Sequence, residues 1–218
     1  MDRILLILPF FFFTFLQNLN AQYDNIIGPT SWVHQSSGAI IGGPTLDDRA
    51  VYFGDDQGIL FSIDQKTGTE NWKLQVEGGV RSKISFDESS IYCLTDSGNL
   101  YSVFKKTGRV RWKSKVGDEK KKDLWDYYLS QPALTESQII IGLGDGNIHA
   151  LNKTNGHEIW HFQTDGPVHA SPVVSDNHIY IGSFDGYLYC LEAQNGELRW
   201  KFDTYGEDGD LIYPFQTM

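Results

Sequence analysis

Five tryptophans, Trp32, Trp72, Trp112, Trp160 and Trp200, recur at separations of 40, 40, 48 and 40 residues, each closing the same short pattern. A period of that length marks a repeat protein, because a single unit of about 40 residues cannot bury its apolar faces alone and must stack on its neighbours. Aligned on the tryptophans, Gly68, Gly108, Gly156 and Gly196 fall four positions earlier, and Gly58, Gly98, Gly146 and Gly186 fourteen positions earlier.

The last unit, HASPVVSDNHIYIGSFDGYLYCLEAQNGELRWKFDT, holds four short runs rich in β-branched and aromatic residues, divided by SDN, FDG and QNG. Asp or Asn beside Gly supplies the positive φ of tight primed turns, so the unit reads as a four-stranded antiparallel meander. Meanders that stack about an axis make a β-propeller. The expected fold is therefore all-β: a propeller of four-stranded antiparallel blades with about four full blades and an incomplete ring. The repeats run at about 38–77, 78–117, 124–165 and 166–204. Residues 30–36 are an orphan outer strand and 205–218 the start of a further loop or blade. The tryptophans are read as packing anchors, with Trp32 the least buried because its blade lacks three strands.

The strings VYFGDDQGILFSIDQKTGTENW, IIIGLGDGNIHALNKTNGHEIW and IYIGSFDGYLYCLEAQNGELRW resemble pyrroloquinoline-quinone-type propeller repeats over about residues 32–204. That resemblance implies one of two branches: quinone-dependent dehydrogenases, or cofactor-free binding propellers of the BamB-like kind. The dehydrogenases are similar to one another in a pair of adjacent cysteines beside the quinone and a calcium held by side chains. Here the only cysteines are Cys93 and Cys190, in different repeats. The resemblance therefore implies a non-catalytic scaffold for protein or peptide partners, with no cofactor. A fragment of a quinone-dependent dehydrogenase and a polysaccharide-binding module are the alternatives.

The segment MDRILLILPFFFFTFLQNLNAQ carries an apolar stretch too short to span ~30 Å of hydrocarbon and a small residue at Ala21, the form of a signal peptide over 1–21 cleaved before Gln22. An uncleaved anchor is the alternative. With no cysteine near that point to carry a lipid, the 22–218 domain is expected to be periplasmic or secreted, without a stable membrane anchor after cleavage. The formal charge of −10 argues against nucleic acid and anionic membrane faces as partners. Open blade edges leave self-association as a further expectation.

Too few residues follow Thr204 to supply a closing blade, so the economical reading is a piece of a longer reading frame. The eight extra residues between Trp112 and Trp160 fall before Pro132, in the link from one blade's outer strand to the next blade's inner strand. That link shares a rim with the turns at Asp56, Asp96, Asp145 and Asp185, which makes Trp125, Tyr127 and Tyr128 the candidate partner-binding residues. Packing of Trp125 onto the blade edge is the competing reading. The turn aspartates are too few per turn for calcium and are explained by Asx turns. His149, His157, His161, His169 and His178 lack a zinc-site spacing, and no catalytic set stands out. No metal, cofactor or catalytic residue is expected.

Overall fold

A computed structural model of the protein describes residues 32–119 and 129–204. Among these residues all regular structure is β, in four four-stranded antiparallel sheets, each in simple sequence order. The first blade is β1 (Thr45–Leu46), β2 (Ala50–Gly54), β3 (Ile59–Asp64) and β4 (Glu70–Gln75). The second is β5 (Ser85–Phe86), β6 (Ser90–Leu94), β7 (Asn99–Phe104) and β8 (Val110–Lys115). The third is β9 (Ala133–Leu134), β10 (Gln138–Gly142), β11 (Asn147–Asn152) and β12 (Glu158–Gln163), and the fourth β13 (Val173–Ser175), β14 (His178–Gly182), β15 (Tyr187–Glu192) and β16 (Leu198–Asp203). The chain has the all-β propeller architecture expected from its repeats. Among the described residues, Trp32–Gln35 with Lys66–Gly68 form one compact unit, and Ser36–Gln65 with the described residues from Thr69 onward form the other.

Within the larger unit the second strands of the second and third blades, β6 and β10, are buried on both faces, which is why they read as unbroken apolar runs rather than alternations. In β6, Ile91 and Cys93 pack with Ala50, Tyr52 and Leu60 of the first blade. The alternate residues Tyr92 and Leu94 pack with Ile139 and Ile141 of the third. In β10 it is Ile140 that turns the other way, joining Ile179, Ile181 and Leu191 of the fourth blade. Side chains of period two thus serve two neighbours from one strand. In β14 only one face is closed: Ile179 and Ile181 are buried, whereas Tyr180 is partly exposed and Trp200 and Phe202 of β16 stand 45% and 61% exposed.

The first four repeat tryptophans, Trp32, Trp72, Trp112 and Trp160, pack forward against the next TG or NG turn in sequence. The rings of Trp72, Trp112 and Trp160 lie over Gly108, Gly156 and Gly196, and their Nε1–H groups donate to the carbonyls of Lys105 (2.8 Å), Lys153 (3.2 Å) and Ala193 (3.1 Å). In the small unit Trp32 closes over Gly68 in the same way. This corrects the expectation for Trp32: the anchor needs the following glycine, not the strands of its own blade. The exposed anchor is Trp200.

The turns also differ in kind. Only SDN is a two-residue primed turn, with Asp176 and Asn177 both at positive φ and Ser175 paired to His178. FDG and QNG place positive φ at the glycine alone, at Gly186 and Gly196. A β-bulge beside Leu191 in β15, where it pairs with β16, absorbs the extra residue of the wider QNG connection.

Ion pairs add a second inter-blade tie. Lys105 reaches Asp47 of the first blade at 2.6 Å and Lys153 reaches Asp87 of the second at 3.7 Å. Partial burial by itself would raise the Asp47 carboxyl, but hydrogen bonds from Lys105 and from the Arg49 and Ala50 amides outweigh it and hold the group down at about 2. The group binds fewer protons folded than unfolded, so its stabilisation is present above its unfolded pKa and fades as pH falls from about 4 towards 2. After discounting for solvent screening that is about 1–2 kcal/mol. Acid titration of unfolding free energy for Asp47→Asn should show a flatter profile over that window, and a profile parallel to wild type would refute the tie.

Candidate functional site

The β2–β3, β6–β7, β10–β11 and β14–β15 turns lie on one rim, together with the links that lead into each blade. The aspartates of these turns are used to hold the links. Asp56 accepts the Ala39 amide (3.0 Å), Asp96 that of Gly79 (2.8 Å), Asp145 that of Asp118 (3.3 Å) and Asp185 that of Asp165 (3.0 Å). Asp145 and Asp185 also close their own turns on the amides of Asn147 and Tyr187. Asx-turn chemistry is therefore only part of their role; the rest is to pin a connecting segment that would otherwise leave amides unpaired.

The link into the third blade is the longest, running from Val116 to Pro132 against Val76 to Ile84 and Thr164 to Pro172. Trp125, Tyr127 and Tyr128 lie in it, outside the described residues. Within the described start of this link, the carboxylate of Glu119 accepts the Gly144 amide at 3.0 Å and stands 3.5 Å from His169 Nε2, with both side chains almost fully buried. The His169 ring contacts Phe184 at 5.4 Å, and Phe184 itself is 54% exposed. Glu119, His169 and Phe184 were not picked out from the sequence. The available signal was Phe184, an aromatic where the first two blades carry Asp56 and Asp96, on a turn that elsewhere holds only small or polar residues.

Away from this rim, the strand register creates a cluster that residue spacing conceals. His149 of β11 pairs directly with His161 of β12, and Glu158 bridges them, accepting from His149 Nδ1 at 2.6 Å and His161 Nδ1 at 3.0 Å. An ionised carboxylate only accepts, so both rings carry their proton on Nδ1. Burial alone would raise the Glu158 carboxyl; the two imidazole hydrogen bonds outweigh it and lower it. Among the described residues no group of three or more His, Cys, Asp or Glu side chains is arranged to hold a metal ion. Cys93 and Cys190 are free and buried on different blades, and burial pushes the Cys93 thiol up to about 12, far from a reactive thiolate.

No helix among the described residues is long and apolar enough to cross a membrane. A family described as outer membrane protein assembly factor BamB matches residues 18–161 and 121–216. The fold is similar to that of BamB from Moraxella catarrhalis, with a TM-score of 0.69 and 22% identity over 78% of this chain and 55% of that one. It is also similar to the quinohemoprotein alcohol dehydrogenase ADHIIG from Pseudomonas putida HK5, with a TM-score of 0.64 and 15% identity over 78% of this chain and 35% of that one. The quinohemoprotein alcohol dehydrogenase from Comamonas testosteroni gives a TM-score of 0.66 and 14% identity over 77% and 35% of the two chains. The chain thus spans about half the length of the BamB structure and about a third of the dehydrogenases. No curated protein sequence matches the chain.

Proposed function

Because the chain belongs to the family of the outer membrane protein assembly factor BamB, we propose that it is an exported, non-catalytic propeller that binds protein or peptide partners. The contact is the rim around Trp125, Tyr127 and Tyr128. The observation that carries this reading is the division of labour on that rim. The turn carboxylates are spent on holding links, the exposed Phe184 stands on the same rim, and the one lengthened link carries three aromatics in its sequence. Aromatic side chains on a rigidly held loop are what peptide recognition uses. Residues 1–21 act as the signal peptide and 22–218 as the repeat domain, which puts the mature protein in the periplasm or outside the cell. Sequencing the mature N-terminus checks this part, with Gln22 the expected first residue and an intact Met1 the result against it.

Pull-down of exported proteins by the wild-type chain and by a Trp125→Ala, Tyr127→Ala double variant tests the rim. The wild type should recover a partner that the variant loses, and equal recovery by both removes the rim as the contact. The dehydrogenase alternative shares the fold, yet Cys93 and Cys190 are both buried and two blades apart. A quinone site of the adjacent-cysteine kind has no residues here to form it. A melting temperature unchanged by pyrroloquinoline quinone with calcium is the expected result, and a rise at saturating ligand would favour the dehydrogenase.

A further inference from the structure

On the opposite rim, the gap between the third and fourth blades departs from the two before it in a coordinated way. In the first gap Lys105 reaches back to Asp47 at 2.6 Å, and Tyr52 donates its hydroxyl to the same carboxylate at 3.3 Å. In the second gap Lys153 reaches Asp87 at 3.7 Å and Tyr92 donates to it at 2.9 Å. The equivalent positions in the third gap are Ala193, Thr135 and Ile140, so cation, carboxylate and phenol are lost together. A cavity of about 370 Å³ lies in this gap, lined by Val174, Ala193, Gln194 and Gln138, with Glu136 its one charged wall residue. Gln138 stands where the first two blades carry Ala50 and Ser90. It is 9% exposed, its Nε2 donates to the Gln194 carbonyl at 3.5 Å, and its Oε1 is buried without a hydrogen-bond partner. Thr135 does not serve that oxygen, because its own hydroxyl is engaged with the Gln138 backbone. A buried acceptor left unpaired is costly, so such an atom marks a place where a donor belongs.

We propose that this cavity binds a primary alkylammonium group, the chemistry that Lys105 and Lys153 supply from within the chain in the first two gaps. An ammonium brings three donors and no acceptor, and its hydrogen bonds are charge-assisted. Gln138 Oε1 takes one of them. The terminal torsion of a glutamine is broad, so the amide turns its oxygen into the cavity it lines without changing the rest of its rotamer. Val174 and Ala193 meet the alkyl stem, Glu136 supplies negative charge, and no cation lines the cavity to oppose the ligand. The formal charge of −10 draws cations towards the chain. A lysine side chain of a partner polypeptide and a small free amine present the same group. This site is independent of the aromatic rim, and a negative result at either leaves the other standing.

The test is a chemical-shift titration of the nitrogen-labelled full chain with n-butylammonium chloride at constant chloride, with n-butanol as the uncharged control. At up to about 20 mM butylammonium should give saturable shifts of the Gln138 side-chain amide and of the Val174 and Ala193 backbone amides, and butanol should bind at least about tenfold more weakly. Ala193→Lys restores the lysine of the first two gaps and should weaken the response by about tenfold or more by occupying the cavity from within. Gln138→Met keeps the side-chain length but removes the acceptor, and should weaken it similarly, read at Val174 and Ala193. The blocked tripeptide acetyl-Gly-Lys-Gly-amide separates the two sources: binding at least as tight as that of butylammonium supports a partner's lysine, and binding of butylammonium alone supports a small free amine. Absence of saturable shifts at these groups, an equal response to butanol, or a response surviving in both variants would overturn the site and leave a gap filled by solvent.

Discussion

Trp160→Ala should lower the free energy of unfolding by about 3–5 kcal/mol in urea titrations, and Trp200→Ala by less than about 1 kcal/mol. The two residues occupy the same position of the repeat but not the same environment. Trp160 is 8% exposed, sits over Gly196 and donates to the Ala193 carbonyl. Its removal leaves a cavity and an unpaired buried carbonyl. Trp200 is 45% exposed, with its ring 6.0 Å from that of Tyr180 between centres. Trp32→Ala should resemble Trp72→Ala more than Trp200→Ala, because its ring is seated on Gly68. Equal losses for Trp160→Ala and Trp200→Ala would mean that the forward contact is not what makes these residues anchors.

Gly156→Ala is expected to cost about 3 kcal/mol, as two penalties fall on one residue. Its φ is +73°, a left-handed conformation that a β-carbon disfavours, and that β-carbon would stand 2.5 Å from the Trp112 ring. Gly182→Ala is the control. Gly182 has no positive φ, and the nearest atom to an added β-carbon is Ala170 Cβ at 3.8 Å. Replacing a strand glycine there should be neutral or slightly stabilising, by up to about 1 kcal/mol. Thermal and urea unfolding of the two variants side by side gives the comparison, and a neutral Gly156→Ala would show that Trp112 can move without loss.

Some of the candidate site is legible in the sequence. The lengthened link and its aromatics follow from one gap of 48 residues among gaps of 40. The ties of Lys105 to Asp47 and of Lys153 to Asp87 recur at equivalent repeat positions, but nothing local in the sequence says that the two ends meet. The pair His149 and His161 was not readable in that way. Only the β11–β12 register, bulge included, sets them opposite one another with Glu158 between.

What the sequence determined by itself is everything whose physics is local. Runs of β-branched and aromatic residues make strands, glycine at fixed offsets makes the left-handed corners, and a period of about 40 makes the same meander four times. Tertiary structure decided which blade each face serves: that Trp160 is buried while Trp200 is open, and that Asp145 accepts the Asp118 amide of the neighbouring link. Four nearly identical units carry nearly identical local instructions. Their differences arise from what stands against them, and contacts between stacked sheets join residues tens of positions apart whose meeting depends on strand register and on the neighbour present.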